Sequence, residues 1–369
     1  MSEVVQLVRD LVRLDTVAHD ESSATDLCSA TLGAAGIISR RVEWEAGRDQ
    51  LVAQLPGSEA PLTLTGHLDT VPAHAADWRV DPWEGALDGD RLVGRGVSDM
   101  KSGVAAALLA VRDHAARQHT CRGVQLVLTA GEETGAHGAA RIPASAMAAG
   151  GPLVVAEPTG NRIVPAHKGA YWLRLTAHGR SAHGSAPELG DNAAIKIARA
   201  ALAIDAIDDW PSDPAYGPVT ANVGTLTSGV QPNVVPDAAE LLLDMRTVPG
   251  VRPHDLRDKI AAAVGPGITI DELVDLPLVD TDVAHPFVLT VSEVLQSCGI
   301  DPEPLPPARF FTDASILTGT LAAPATIVLG PGEADQCHVV DEWCSVSKLE
   351  QSVQIYADLL DRWCARSEG

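Results

Sequence analysis

An α/β fold interrupted by a smaller α+β domain is predicted by three features of the chain. Four apolar runs between Leu62 and Glu157 each end in a short loop that carries a histidine or carboxylates. Helical stretches alternate with those runs, as they do where helices cover a mostly parallel sheet. Near His167 the pattern changes to alternating strands with two helices, and the first pattern returns from about Pro286.

Taken in order, Val4, Val5, Leu7, Val8, Leu11, Val12 and Leu14 recur at helical spacing across residues 3–17. A second helix is expected over 22–35, stopping near Gly36. Residues 41–55 and 61–66 read as strands, and 72–90 as a loop holding Trp78 and Trp83. The alanine-rich stretch 102–117 is the strongest helix of this half, with side chains small enough to pack closely on a sheet. Residues 124–129 and 153–156 are further buried strands. Residues 171–177 then alternate as a half-buried strand should, and 191–207 form a helix with Asp191 or Asn192 as its cap. Strands at 219–227, 239–246 and 268–273 with a helix at 254–264 complete a small α+β domain. A helix reaching Cys298, a strand at 325–329 and a last helix at 348–363 return to the first domain. The expected organisation is therefore a discontinuous domain, 1–167 and 280–369, interrupted by an insert at 168–279.

At 369 residues the chain can bury a sizeable core, and aromatics at 4% leave that core to Ala, Val, Leu and Ile. The formal charge of −22, from 27 basic and 49 acidic residues, argues against nucleic acid or an anionic membrane surface as partner. No apolar run approaches the ~20 residues of a membrane span. Met1-Ser2-Glu3 does not open a signal peptide. The six cysteines (Cys28, Cys121, Cys298, Cys337, Cys344 and Cys364) form no CxxC, and reduced thiols in a cytoplasmic protein are expected.

The strand ends carry the chemistry. His67 and Asp69, two apart on an extended segment, share a face. One ring nitrogen of His67 can bind a metal, while Asp69 is placed to accept a hydrogen bond from the other. Asp99 follows a glycine-rich segment and is a natural carboxylate to bridge two cations. Glu132 and Glu133 are adjacent acids that repel unless cations are near or one is protonated. One can then ligate while its neighbour works as a general base. Glu157 ends an apolar strand, and His338 follows the last strand by a loop rich in glycine. Each alone has an ordinary explanation, such as a helix cap or a solvated loop. Together, these histidines and acids at five strand ends point to hard or borderline divalent cations.

Four motifs carry a specific resemblance: Gly66-His67-Leu68-Asp69-Thr70-Val71-Pro72, Gly96-Val97-Ser98-Asp99-Met100-Lys101-Ser102-Gly103, Gly131-Glu132-Glu133-Thr134-Gly135 and Glu157-Pro158-Thr159. In this order they resemble the acetylornithine deacetylase and succinyl-diaminopimelate desuccinylase family of co-catalytic zinc amidohydrolases and exopeptidases. The resemblance implies a zinc-exopeptidase-like catalytic domain with an inserted lid and dimerisation domain. It implies two divalent ions, zinc or cobalt, one on His67, Asp99 and Glu157 and the other on Asp99, Glu133 and His338. By the same resemblance Glu132 is the general base, Asp69 orients the first histidine, and the Asp99–Met100 peptide is cis. His183, in Ser181-Ala182-His183, matches a histidine that reaches the partner subunit's site in a homodimer. Asn233, Arg246 and Thr312 match substrate-binding positions.

The implied reaction is removal of an acyl group from an N-acyl amino acid. The form Ala156-Glu157-Pro158-Thr159 looks most like the acetylornithine-deacetylase type. Phe310-Phe311 before Thr312-Asp313 replaces the glycine of many relatives, so the side chain accommodated can differ. A dipeptidase or carboxypeptidase acting on short peptides is the rival within the family. A metal-dead binding protein on the same fold would lack a ligand or the base, and none is missing here.

Overall fold

In the computed structural model, which describes residues 1–17, 19–117 and 122–365, the chain divides into two compact units. The first comprises Met1–Ala166, Val279–Pro306 and Thr312–Gly369; the second comprises His167–Leu278 and Pro307–Phe311. Four cysteines (Cys28, Cys298, Cys337 and Cys344) carry free thiols, while Cys121 lies outside the described residues. Among the described residues no helix is long and apolar enough to cross a membrane.

The first unit opens with helices α1 (Glu3–Val12) and α2 (Glu21–Gly33). Strands β1 (Ser39–Glu45), β2 (Arg48–Leu55) and β3 (Leu62–His67) follow, then the short β4 (Ala86–Asp88) and β5 (Arg91–Val93). Helix α3 (Ser102–Ala116), β6 (Val124–Thr129) and β7 (Leu153–Val155) complete its first part. The insert contributes β8 (Gly169–His178), α4 (Ala193–Asp205), β9 (Thr220–Ser228), β10 (Ala238–Thr247), α5 (Pro253–Val264) and β11 (Ile268–Leu276). The first unit closes with α6 (Pro286–Ser297), α7 (Ala314–Thr320), β12 (Thr326–Val328), β13 (Trp343–Ser345) and α8 (Val346–Ala365).

Its central sheet has the order β1–β2–β6–β3–β7–β12. The pairings β6/β3, β3/β7 and β7/β12 are parallel, while β1/β2 and β2/β6 are antiparallel. Every residue of β3 and β6 is buried, as expected where helices cover both faces. Their polar members are satisfied: Thr65 Oγ1 donates to Val127 O at 2.8 Å, and Gln125 Nε2 donates to Thr63 Oγ1 at 3.1 Å. His67 lies opposite Thr129, so both strands deliver their following loops to one end of the sheet.

Two expectations are corrected here. Residues 41–55 are not one strand but a hairpin, turned where Gly47 takes the left-handed φ of 78°. Because β2 runs antiparallel to both of its neighbours, β1 and β6, the sheet is mixed. The short segment 307–311, expected in the main domain, belongs to the insert. There His167 pairs with Ala308, and Phe311 packs edge-on against Trp172 with ring centroids 5.9 Å apart. The insert itself is an antiparallel sheet of order β9–β10–β8–β11 with α4 and α5. Asn192 caps α4 by accepting the Ile195 amide at 3.2 Å.

Helix α3 approaches the sheet so closely that a methyl group at Gly103 would lie 1.9 Å from the carbonyl oxygen of Ala156, just before Glu157. Gly103→Ala should therefore force the helix off β7 and destabilise the protein by about 1–3 kcal/mol in chemical denaturation. An unchanged midpoint would contradict this account of the packing.

Candidate metal centre

Each candidate ligand in the first unit is placed by a strand end or a loop tied to one. His67, the last residue of β3, is 1% exposed. Its Nε2 lies 3.1 Å from Asp99 Oδ1 and 3.6 Å from Glu157 Oε1, while Nδ1 lies 3.0 Å from the carbonyl oxygen of Asp69. Asp99 precedes α3, and its peptide bond to Met100 is cis. Glu157 follows β7, and the loop after β6 supplies Glu132 and Glu133. His338, the most exposed of the set, brings Nε2 to 2.9 Å from Glu133 Oε2 and 3.4 Å from Asp99 Oδ2. Two groups of potential ligand atoms result: His67, Asp99 and Glu133, and His67, Glu132 and Glu157, with atoms of each group within 4.8 Å of one another. The six residues selected from the sequence are thus brought together.

Asp69 differs from expectation. Its carboxylate stands 3.7 Å from His67 Nδ1, too far for a hydrogen bond. Its two oxygens instead accept the backbone amides of Glu132 (3.2 Å) and Glu133 (3.1 Å). The residue holds His67 through its backbone oxygen and the paired glutamates through its side chain.

Burial and mutual repulsion set the protonation of the cluster. Burial holds Glu132 and Glu157 well above their ordinary 4.5, and raises Glu133 with help from Asp99. Burial opposes a charge on His67, yet Glu157 and Asp99 outweigh it and raise that imidazole well above its ordinary value. Hydrogen bonds to Asp99 and Glu133 raise His338 to about 10. Burial also disfavours charge on Asp99, but its bonds to His338 and His67 hold it low. Two imidazolium groups are therefore the local answer to four converging carboxylates. Divalent cations fit this donor set better: nitrogen and oxygen ligands for borderline ions, with an excess of negative charge to neutralise.

Sequence reasoning missed two supports. Asp313, 2% exposed, accepts a hydrogen bond from Thr129 Oγ1 through Oδ2, while buried Oδ1 has no hydrogen-bond partner among the described residues; burial pushes its carboxyl up to about 7. Glu342 is wrapped by backbone amides beside Asp99. The run Thr312-Asp313 and the acid at the end of His338-Val339-Val340-Asp341-Glu342 were visible, but neither reveals such a distant partner. Thr312 is fully buried, and its hydroxyl accepts the Ala314 amide at 3.1 Å, so it shapes the start of α7.

In the insert, His183 and Asn233 occupy exposed loops that meet: the Gly184 amide donates to Asn233 O at 2.8 Å. His183 Nδ1 accepts the Ser185 amide at 3.1 Å, which leaves the neutral ring its proton on Nε2. Arg246 on β10 is held by Asp244 Oδ2 at 2.9 and 3.1 Å and lies over Phe311, 4.9 Å from the ring centre. Among the described residues, its buried Nη1 has no hydrogen-bond partner.

A profile described as Peptidase family M20/M25/M40 matches residues 63–362. A probable succinyl-diaminopimelate desuccinylase of Staphylococcus epidermidis is 29% identical, the match covering 96% of each chain. An acetylornithine deacetylase of Aliivibrio fischeri is 28% identical over 96% of this chain and 97% of its own. A probable carboxypeptidase of Ajellomyces dermatitidis is 29% identical over 98% of this chain and 87% of its own. Among solved structures, an M20 family metallo-carboxypeptidase from Sulfolobus solfataricus superposes with a TM-score of 0.82 at 17% identity, covering 98% of this chain and 99% of that one.

The protonation pattern has a pH consequence. Glu132, Glu133, Glu157, His67 and His338 are all held above their ordinary values, so each contributes most to stability below that value and loses it as pH rises through its folded value. Asp99, held low, keeps its contribution across this range. The gap between the melting temperatures of Zn²⁺-supplemented and chelated protein should therefore widen as pH rises from about 4.5 towards about 10. A gap that narrows would overturn the assignment.

Proposed function

We propose that this chain, which belongs to peptidase family M20/M25/M40, removes the acyl group from N-acyl amino acids by hydrolysis of their amide bond. Membership makes it a metallohydrolase acting on C–N bonds. The observation that carries the reading is the convergence of His67, Asp99, Glu133, Glu157 and His338 beside Glu132 at one end of the parallel strands. In this reading His67, Asp99 and Glu157 hold one cation and Asp99, Glu133 and His338 the other, with zinc or cobalt as the metal. The chemistry a bound cation pair supplies is Lewis acidity toward a water and toward the amide oxygen.

The rest is done by side chains. Glu132 is buried, and its proton affinity is raised by that burial. It takes the proton of the attacking water and returns it to the departing nitrogen. Asp69 fixes the backbone of the loop that carries this base. His183, with its proton on Nε2, is assigned to donate to the developing oxyanion in the partner subunit of a homodimer. The edge strand β9 and the exposed Ile195, Leu202 and Leu226 of the insert offer an apolar face for that pairing. Mutating the base tests both assignments. Glu132→Gln should retain its cations and lose about 10²–10⁴ in turnover. Mixed with inactive His183→Ala chains, it should regain activity, since a mixed dimer has one site with both groups intact. No recovery despite proven subunit exchange would remove His183 from the partner's site.

Arg246 supports a substrate with a free carboxylate. Its buried Nη1 lacks an acceptor among the described residues, and an unpaired charged donor is costly unless a ligand supplies one. Lys168 lies in the same unit, 3% exposed, and its Nζ donates to Pro218 O at 2.5 Å. Together they favour an α-carboxylate on the departing amino acid. A screen of N-acyl amino acids against dipeptides, with Zn²⁺ and Co²⁺, tests the reading. N-acyl amino acids should be cleaved preferentially, their α-carboxamide analogues poorly, and Arg246→Ala should raise KM about 10–100-fold. Preference for dipeptides would favour the carboxypeptidase-like reading, and equal cleavage of the carboxamides would remove Arg246 from substrate binding.

A further inference from the structure

Glu342 follows His338 in the same loop and is 1% exposed. Its Oε1 accepts the backbone amides of Ser98 at 2.7 Å and Asp99 at 3.1 Å. Its Oε2 accepts the Gly96 amide at 2.9 Å and Arg95 Nη1 at 2.7 Å. Gly96 takes a φ of 81°, a left-handed turn that lets successive amides face one acceptor. Further bonds close the same seam. The Gly94 amide donates to Glu342 O at 3.0 Å, Ser98 Oγ donates to Trp343 O at 2.7 Å, and the Glu333 amide donates to Ser98 Oγ at 3.1 Å.

A carboxylate with two donors on each oxygen has little capacity left for a cation. What it does is mechanical. It joins the segment that ends in Asp99 to the segment that carries His338, whose Nε2 lies 3.4 Å from Asp99 Oδ2. The two segments are far apart in sequence, and nothing local fixes their separation.

We propose that Glu342 is a positioning residue that sets the distance between Asp99 and His338 and thereby the cation affinity of that half of the centre. The inference rests on the reading of the cluster as a cation pair. A residue that merely stabilised the fold would change melting but not the affinity of the folded protein.

The test is calorimetric titration of chelated protein with Zn²⁺ and Co²⁺, together with the visible absorption spectrum of the Co²⁺ form. In Glu342→Gln one oxygen can still serve Ser98 and Asp99, but the amide nitrogen faces two other donors. Folded Glu342→Gln should bind cations about 10–100-fold more weakly, the usual cost of losing a group that orients a ligand, and its Co²⁺ spectrum should change. Glu342→Asp keeps the charge but is one methylene short; it should shift affinity the same way and serves if the glutamine variant does not fold. Asp341→Asn is the control, because that side chain holds Arg79, at 2.6 and 2.8 Å, instead of the ligand loop. Unchanged affinity and spectrum in a folded Glu342 variant overturn the inference, as does an equal loss in Asp341→Asn. Wild-type protein that takes up no cation would overturn the reading of the cluster instead.

Discussion

The structure is governed by the need to bury several carboxylates at one end of a sheet without letting them repel the fold apart. Two of the acids are held chiefly by backbone amides. Asp69 accepts the amides of Glu132 and Glu133, and Glu342 accepts those of Gly96, Ser98 and Asp99. Hydrogen bonds from N–H to an ionised acceptor are among the stronger ones available, and at Glu342 the Arg95 guanidinium adds its charge to them. Among the described residues, Asp99, Glu132, Glu133 and Glu157 have no such wrapping, and only His67 and His338 face them with positive charge. Acids that look alike in the sequence thus fall into two sets, those consumed in holding loops and those left to face an ion.

The sheet makes this division possible. Parallel pairing of β6, β3 and β7 places their carboxyl ends together, with His67 in register with Thr129 and Thr65 with Val155. The loops beyond therefore start from fixed points a few ångströms apart, and each adds its acid from a different direction. Gly103 lets α3 come against the Ala156 carbonyl, so the helix after Asp99 and the strand before Glu157 are held by one contact. A parallel sheet covered by helices is rigid enough to support charged groups that a mobile loop could not keep in place.

How much of this could be read beforehand follows from the range of each interaction. The helices and buried strands were legible because their periodicity is local, and the family motifs because each lies within a few consecutive residues. The hairpin at Gly47 was not, since Val42 and Trp44 lead on toward Leu51, Val52 and Ala53 and the turn has a single glycine as its signal. Segment 307–311 joined the insert through Ala308 and Phe311, contacts made across a long stretch of chain. Asp69 shows the limit most clearly. Its spacing from His67 suggested a side-chain hydrogen bond, but the amides of Glu132 and Glu133, more than sixty residues away, claim its oxygens. Selecting the site residues needed only the strand ends; assigning what each one holds needed the distant partners.

Glu132 and Glu133 show how neighbours with identical side chains come to differ. Their amides share one anchor, Asp69, so the backbone presents both at the same place. Glu133 reaches His338 at 2.9 Å, and that contact engages its charge. Glu132 makes no side-chain hydrogen bond among the described residues, although it lies within ligand distance of His67 and Glu157. That proximity alone would allow it to hold a cation. But His67 and Glu157 are also beside Asp99, and a ligand set built on Asp99 leaves Glu132 as the acid with neither a hydrogen bond nor an ion pair. A buried carboxyl in that position binds a proton more tightly than an ordinary one, and a base must do so to take a proton from water near neutral pH. In the proposed hydrolysis, the same desolvation that makes Glu132 costly to the fold suits it to moving protons.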